Sequence, residues 1–194
     1  LNGYALGGGL QLALRCDILL AAESAQLGLP EVRRGQIDET GAIKLPKRIP
    51  YHLAMSLLLT GRLISAQEAY RVGLVSEVVP GEELMPAADR WARQIIECAP
   101  LSVQATKQAA LSLWELPTEV ALSRVESLDA VRRLRHSDDY LEAPRAFVER
   151  RKPVWKGKEG MSRSMLKSAS GGVAGITVRR RLPLGQRCLR ALSD

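Results

Sequence analysis

The chain has 194 residues, of which 46% are hydrophobic and 25% charged, a composition typical of a globular protein with one sizeable core. Three widely spaced cysteines without a CxxC pair argue against a disulfide framework or a zinc site. The sequence contains no run of 18 uncharged apolar residues, so it predicts no membrane span. The net charge of +7 does not predict that residues 1–160 bind nucleic acid. Most of the positive charge lies in residues 161–194, which carry seven basic residues against one acidic residue.

Short strands and helices alternate in the first part of the chain. Because Leu1 already lies in a segment that looks structured, we expect an N-terminally truncated start. After three glycines, "LQLALRC" is apolar almost all round and predicts a buried helix. The runs "DILLAA", "AQLGLPE" and "LVSEVV" predict strands, and "YHLAMSLLLTG" predicts a helix that ends near Gly61. In "SAQEAYRVG", Ser65 and Glu68 have the spacing of a capping box, and Gly73 is placed to end that helix.

Residues 82–150 have a helical pattern, which we expect to break at Pro100, Pro117 and Pro144. Strands that alternate with helices and then give way to helices indicate an α/β layer with an appended helical region. We therefore predict a core over residues 1–116, a helical region over 117–158 and a basic, disordered tail over 159–194. The tail is open to three interpretations: an added or mistranslated segment, an ordinary solvated tail, or an arm that binds polyanions.

The three glycines of "LGGGLQL" stand where a helix is predicted to begin. A helix start leaves N–H groups without partners, and the missing Cβ atoms let a ligand oxygen approach them. Such a turn suits a phosphate or an oxygen that becomes negative during a reaction. A tight packing contact between strand and helix explains the glycines equally well.

Glu31 follows the proline that ends a predicted strand in "GLPEVRRG". A carboxyl group in such a short apolar neighbourhood is a candidate for moving a proton. The alternative is structural, because Glu31 is equally placed to cap the next element or to pair with Arg33 or Arg34.

Taken together, these segments make the chain resemble the enoyl-CoA hydratase/isomerase (crotonase) superfamily. The resemblance rests on "NGYALGGGLQLALRCDILLAAESAQLGLPEVRRG" and continues through "LTGRLISAQEAYRVGLVSEVVP" and "APLSVQATK" to about residue 158. "KLPKRIP", "HSDD" and "KPVWKGK" are most similar to its carnitinyl-CoA dehydratase branch. The resemblance implies a crotonase-like ββα spiral that lacks its N-terminal part, followed by a C-terminal helical oligomerisation region.

The resemblance also assigns a role to the glycines and to Glu31. It implies that the N–H of Gly8 helps to hold the thioester oxygen of an acyl-CoA substrate, and that a second N–H donor lies on an earlier loop, before Leu1. Gly7 and Pro30 flank this site and are assigned to substrate binding. Hydratases of the family use two glutamates: one is present as Glu31, whereas the other falls at Gln11. A glutamine orients water but does not take its proton, so we expect Gln11 to impair hydration by two acids. Glu31 alone could shuttle one proton, as in the single-glutamate enoyl-CoA isomerases, and the alternative for Gln11 is a degraded site.

The segment "GQIDETGAIKLPK" departs from the family pattern, since a proline and paired glycines usually stand there. Asp38 or Glu39 is a candidate for recruiting a cationic acyl group, but solvated loop acids are the favoured interpretation. In "AFVERRK", the family resemblance makes Phe147, Arg150 and Lys152 candidates for contact with the CoA tail, although a solvated face explains them too.

These observations lead to one main functional prediction. We expect an acyl-CoA hydratase or dehydratase that acts on enoyl-CoA or carnitinyl-type thioesters through a stabilised enolate. The alternatives are an enoyl-CoA isomerase and a non-catalytic binding or assembly protein of the same fold. The resemblance implies no cofactor beyond the coenzyme A of the substrate, no metal, a homotrimer or hexamer, and a cytoplasmic location (or the mitochondrial matrix in a eukaryote).

Overall fold

The computed structural model describes residues 1–158, and the chain divides into two compact units at Ala99 and Pro100. The predicted tail, residues 159–194, lies outside the described residues. The first unit contains these strands and helices: β1 (Tyr4–Leu6), α1 (Gly8–Ala13), β2 (Leu20–Ala22), β3 (Gln26–Gly28), α2 (Glu39–Lys44), α3 (Tyr51–Thr60), β4 (Leu63–Ser65), α4 (Ala66–Arg71), β5 (Glu77–Val79) and α5 (Leu84–Ile96). The described part of the second unit contains α6 (Pro100–Leu113), α7 (Thr118–Arg124), α8 (Asp129–Arg135) and α9 (Asp139–Val148). Short 3-10 helices lie at Pro30–Arg34, Leu45–Lys47, Gly81–Glu83 and Val125–Ser127.

Two small sheets organise the first unit. In one, β1 pairs in parallel with β3, which pairs antiparallel with β4; in the other, β2 pairs in parallel with β5. Leu6 stands opposite Gly28 at the carboxyl ends of β1 and β3. The residues that follow these two strands therefore leave the sheet at the same edge, which is where open α/β sheets place their ligands.

The core of the first unit holds this edge in place. Its most deeply buried side chains come from the strands, from helices α1 and α3 and from the segments between them: Leu10, Leu27, Leu29, Leu45, Leu57, Ile64 and Val75. A separate small cluster in the second unit joins α6 to α8 through Ala105, Ala130 and Val131. The boundary predicted at residue 116, between the family core and the C-terminal helical region, is a different boundary from the one between these two units, and it stays a prediction.

The first helix differs from its prediction. Helix α1 ends at Ala13, and Leu12 is 68% exposed, so the helix is not buried all round. Leu10 and Ala13 are its buried residues, which shows a single apolar stripe at a spacing of three. The predicted strands exist but are three residues long: β2 and β5 occupy the carboxyl-terminal halves of "DILLAA" and "LVSEVV", and β3 occupies the first half of "AQLGLPE".

The predicted helix ends are largely confirmed. Gly61 ends α3 in a left-handed conformation, and Ser65 accepts a hydrogen bond from the N–H of Glu68 at 3.1 Å. The capping box is only half formed, since the Glu68 carboxylate binds the Arg62 guanidinium instead, at 2.7 Å. That hydrogen bond lowers the pKa of Glu68 and raises that of Arg62.

Two of the three expected proline breaks are present. Helix α6 begins at Pro100, and α7 begins directly after Pro117. The break expected at Pro144 is wrong, because this proline lies inside α9. Pro144 is exposed, so water can hydrogen-bond the carbonyl group that its missing N–H leaves without a partner.

The residues after α9 fold back onto it. The carboxylate of Asp139, which is 3% exposed, accepts hydrogen bonds from the N–H groups of Lys156 and Gly157, both at 2.8 Å. Glu142 binds the Arg151 guanidinium and the Val154 N–H. These hydrogen bonds, of which the one from Arg151 has the larger effect and the one from Val154 the smaller, lower the pKa of Glu142 to about 2.

Candidate active site

The glycine turn follows β1 directly and begins α1. Gly7 has φ 51° and ψ −121°, a conformation that favours glycine, and its N–H donates to the Gly28 carbonyl oxygen at 3.0 Å. The Gln11 N–H donates in turn to the Gly7 carbonyl oxygen at 2.9 Å, which closes the first turn of α1. Gly8 and Gly9 are exposed, and a Cβ atom at either would meet nothing within 4 Å. The open space at the helix start leaves room for a ligand oxygen to approach the backbone.

Glu31 lies against this turn. It is the second residue of the 3-10 helix Pro30–Arg34, which follows β3 as the glycine turn follows β1. A Cβ atom at Gly7 would lie 2.4 Å from Glu31 Oε1, so the absence of a side chain at Gly7 is what admits this carboxylate. The structure thus brings together two predicted site elements that are 24 positions apart in the sequence.

The Glu31 carboxylate is not used for structural pairing within residues 1–158. Its Oε2 atom is buried and accepts no hydrogen bond from the described residues. Arg33 donates instead to the Thr60 carbonyl oxygen at 2.7 Å, and no ion pair joins Glu31 to Arg33 or Arg34 in the described part of the chain. The alternative in which Glu31 pairs with a neighbouring arginine is therefore not what the structure shows.

Gln11 has a specific partner that the sequence did not reveal. Its Nε2 atom donates to Asp38 Oδ2 at 2.8 Å. Asp38 is 5% exposed and caps α2, because its Oδ1 accepts from the N–H of Gly41. The interpretation of Asp38 as a solvated loop acid is wrong, whereas Glu39 beside it is exposed as predicted. Aspartate is a preferred N-cap residue, and that signal could have identified the role of Asp38.

The remaining predicted contacts with substrate stay untested. Pro30 occupies the first position of its 3-10 helix, where it costs no hydrogen bond. Phe147, Arg150 and Lys152 belong to the second unit, and all three are exposed, Phe147 by 86%. Their contact with a CoA tail stays a prediction.

Two further classes of site are absent from residues 1–158. No group of three or more histidine, cysteine or acidic side chains in this range is arranged to hold a metal ion. Among the helices of the described residues, none has the length and apolar character needed to cross a membrane.

Comparison with known proteins gives consistent matches over the described part of the chain. Residues 1–158 match the family described as Enoyl-CoA hydratase/isomerase. The carnitinyl-CoA dehydratases of Salmonella typhi and Salmonella agona (strain SL483) are each 42% identical over 160 residues, which cover 81% of this chain and 61% of the relative. The chain thus spans about three fifths of the length of these curated relatives.

Solved structures agree with these matches. A putative short chain enoyl-CoA hydratase from Novosphingobium aromaticivorans DSM 12444 is 46% identical with a TM-score of 0.75, over 80% of this chain and 61% of that one. An enoyl-CoA hydratase from Mycobacterium tuberculosis H37Rv is 36% identical with a TM-score of 0.75, over 80% and 62% of the two chains. The α/β fold with a helical C-terminal region is confirmed, as is the resemblance to the carnitinyl-CoA dehydratase branch.

Proposed function

The chain belongs to the enoyl-CoA hydratase/isomerase family, and on this premise we propose that it acts on acyl-CoA thioesters as a hydratase or dehydratase. The observation that carries the proposal is the Glu31 carboxylate, which lies against the glycine turn with one oxygen buried and unpartnered among the described residues. A carboxylate beside a turn of accessible N–H groups combines a proton carrier with a site for an anionic oxygen.

In the proposed hydration, Glu31 carries one proton from water to the substrate. As the water oxygen bonds to the β-carbon, Glu31 takes a proton from that water, and the thioester carbonyl becomes an enolate oxygen. The N–H of Gly8 holds the enolate oxygen by a hydrogen bond. Glu31 then returns the same proton to the α-carbon, so one water adds across the double bond. Gln11 accepts a hydrogen bond from the water and orients it, and dehydration follows the same steps in reverse.

The position of Gln11 favours isomerisation as a second candidate. Because residue 11 is a glutamine and α1 contains no acidic residue, no carboxylate on α1 is available as a second acid. In an isomerisation, Glu31 removes a proton from the α-carbon and returns it to the γ-carbon, the far end of the original double bond, so the double bond moves to the α,β position. Both reactions pass through the enolate and differ in whether the oxygen of water enters the product.

The identity of the acyl group and the assembly are part of the proposal. The relatives named carnitinyl-CoA dehydratases support a carnitinyl-type or short enoyl thioester. We extend the proposal to coenzyme A, present within the substrate, as the only cofactor, to a homotrimer or hexamer, and to a cytoplasmic location. CoA contact by Phe147, Arg150 and Lys152 belongs to the same proposal.

The role of Glu31 is tested by exchange of the α-proton of an acyl-CoA. Crotonyl-CoA and 3-hydroxybutyryl-CoA are incubated with the chain in heavy water, and deuterium uptake is followed by mass spectrometry. This assay accumulates signal over hours and therefore detects slow turnover.

We expect Glu31→Gln to lower the exchange rate by at least about 10²-fold, since the amide does not carry the proton. Glu23→Gln is the matched control, because Glu23 is an exposed acid of the same unit. Equal rates in the Glu31→Gln variant and the unmodified chain, or no exchange in either, would refute the proposal.

A further inference from the structure

The short helix that carries Glu31 has little packing of its own. Pro30–Arg34 is a five-residue 3-10 helix, and in the described part of the chain none of its residues is buried as a whole. A helix of this length does not persist in water by itself, because its few hydrogen bonds do not offset the cost of ordering the chain. Contacts with neighbouring elements must therefore hold this helix, and with it the Glu31 carboxylate, against the glycine turn.

Arg33 ties the 3-10 helix to the end of α3. Its Nε atom donates to the Thr60 carbonyl oxygen at 2.7 Å. Thr60 is the last residue of α3, and the last carbonyl groups of a helix have no donor within it. A guanidinium suits this place, because the carboxyl-terminal end of a helix carries a partial negative charge. One side chain thus satisfies the end of α3 and fastens the 3-10 helix to it.

The bare turn at Gly61 makes room for this arginine. Gly61 follows α3 with φ 62°, and a Cβ atom there would lie 3.0 Å from Arg33 Cγ and 3.2 Å from Arg33 Nε. The same Cβ atom would lie 3.2 Å from the Cα atom of Pro30, so the backbone of the 3-10 helix also lies close to α3. The stem of Arg33 therefore packs across Gly61, which fixes its direction.

Glu31 and Arg33 project from different faces of the 3-10 helix. Such a helix completes a turn in three residues, so side chains two positions apart point about 120° away from each other. The absence of a side chain at Gly7 admits Glu31 Oε1 on one face, whereas Arg33 reaches α3 on the other. Because the helix is anchored toward α3, it does not rotate freely about its axis, and the direction of the Glu31 carboxylate is fixed.

From this arrangement we infer that Arg33 is a positioning residue for Glu31, which binds the carboxyl-terminal end of α3 and so keeps the Glu31 carboxylate against the glycine turn. The inference rests on the proposed function for its catalytic meaning, but the link itself is testable without turnover. Arg33 acts through Glu31, since its own hydrogen bond goes to a backbone carbonyl group of α3.

Two substitutions at position 33 of the full chain separate the donor from the shape of the side chain. The Nε2 atom of glutamine stands as many bonds from Cα as the Nε atom of arginine, so Arg33→Gln keeps a donor for the Thr60 carbonyl oxygen. Arg33→Met keeps an unbranched stem but has no donor. Arg34→Met is the matched control, because it removes the same charge from the same helix, and the exposed Arg34 side chain has no hydrogen bond within residues 1–158.

Amide hydrogen exchange followed by NMR tests the link without turnover. The Gln36 N–H donates to the Glu31 carbonyl oxygen at 3.1 Å, so its exchange rate measures opening at Glu31 itself. We expect Arg33→Met to speed this exchange by about 10-fold, and Arg33→Gln and Arg34→Met to change it by less than about 3-fold. The Glu68 N–H, which donates to Ser65, serves as a reference that should not change.

The rate of α-proton exchange with 3-hydroxybutyryl-CoA in heavy water tests the catalytic meaning. We expect Arg33→Met to lower the maximal rate by about 10-fold or more, with an unchanged half-saturating thioester concentration, because the carboxylate is displaced while the substrate contacts stay. Arg33→Gln should restore most of the rate. A role in stability alone would lower the melting temperature and leave the maximal rate per folded molecule unchanged.

These two measurements separate failure of the inference from failure of the proposed function. Gln36 exchange that is equally slow in Arg33→Met and in the unmodified chain overturns the inference. Turnover that Arg33→Met does not reduce, or that Arg34→Met reduces equally, overturns it as well. Faster Gln36 exchange in Arg33→Met, with no α-proton exchange in any variant or in the unmodified chain, refutes the proposed function instead.

Discussion

Replacement of Gly7 by alanine tests how the glycine turn admits the Glu31 carboxylate. The new methyl group meets two obstacles: a φ of 51° that L-residues rarely adopt, and Glu31 Oε1 at 2.4 Å, a distance that real Cβ contacts essentially never show. The backbone is held by the hydrogen bonds from Gly7 to Gly28 and from Gln11 to Gly7, so it does not rotate without losing them.

The backbone conformation sets the size of the effect on stability. A non-glycine residue in such a region costs about 1–3 kcal/mol, and the clash is relieved by moving the end of the Glu31 side chain. We therefore expect the free energy of unfolding, measured by urea titration with circular dichroism, to fall by about 1–3 kcal/mol. Displacement of the carboxylate by about 1 Å should slow α-proton exchange by about 10²-fold.

Gly9→Ala is the matched control, because a Cβ atom at Gly9 meets nothing within 4 Å and Gly9 lies in helix α1. Alanine is the better helix former, so this variant should be as stable as the unmodified chain or more stable by up to about 1 kcal/mol. The reasoning fails if Gly7→Ala is as stable as Gly9→Ala.

Two further predictions concern caps and charges away from the glycine turn. Ser65→Ala removes the acceptor for the Glu68 N–H and should lower the free energy of unfolding by about 1 kcal/mol in urea titrations; an unchanged midpoint would contradict this role for the cap. The folded-state pKa of Glu142 is lowered from 4.5 to about 2 by its hydrogen bonds with Arg151 and Val154, so its carboxylate stabilises the fold above the ordinary pKa and ceases to do so as the pH falls toward 2. Calorimetry should find Glu142→Gln less stable than the unmodified chain at about pH 6, with the difference vanishing near pH 2, and a difference that does not depend on pH would refute the assignment.

Local patterns were sufficient to predict much of the fold. Gly61 and Ser65 marked helix boundaries correctly, because a left-handed glycine and a serine cap act through their own neighbouring backbone. Pro144 was predicted wrongly, since a proline's effect on a helix depends on whether water reaches the freed carbonyl group. The exposure of Leu12 was missed for a related reason. The sequence shows which residues of a helix are apolar, but only the packing of the folded chain decides which of them are buried.

The candidate site was predictable in its parts but not in its pairings. Glu31 and the glycine turn were identified separately, and the parallel pairing of β1 with β3 brings them together. The contact between Gln11 and Asp38 spans 27 positions, and no local pattern encodes it. Resemblance to a family marked Gln11 as a departure, whereas its partner became visible only from the structure.

The central claim is that the chain adds water to an enoyl thioester through Glu31, and oxygen labelling tests it most directly. Crotonyl-CoA and crotonobetainyl-CoA are incubated with the chain in heavy-oxygen water, and the acyl-CoA products are analysed by mass spectrometry. We expect one heavy oxygen in the hydroxyacyl product, and none when Glu31 is replaced by glutamine. A product whose double bond has moved without gaining the label would contradict hydration, and it would identify the chain as an isomerase.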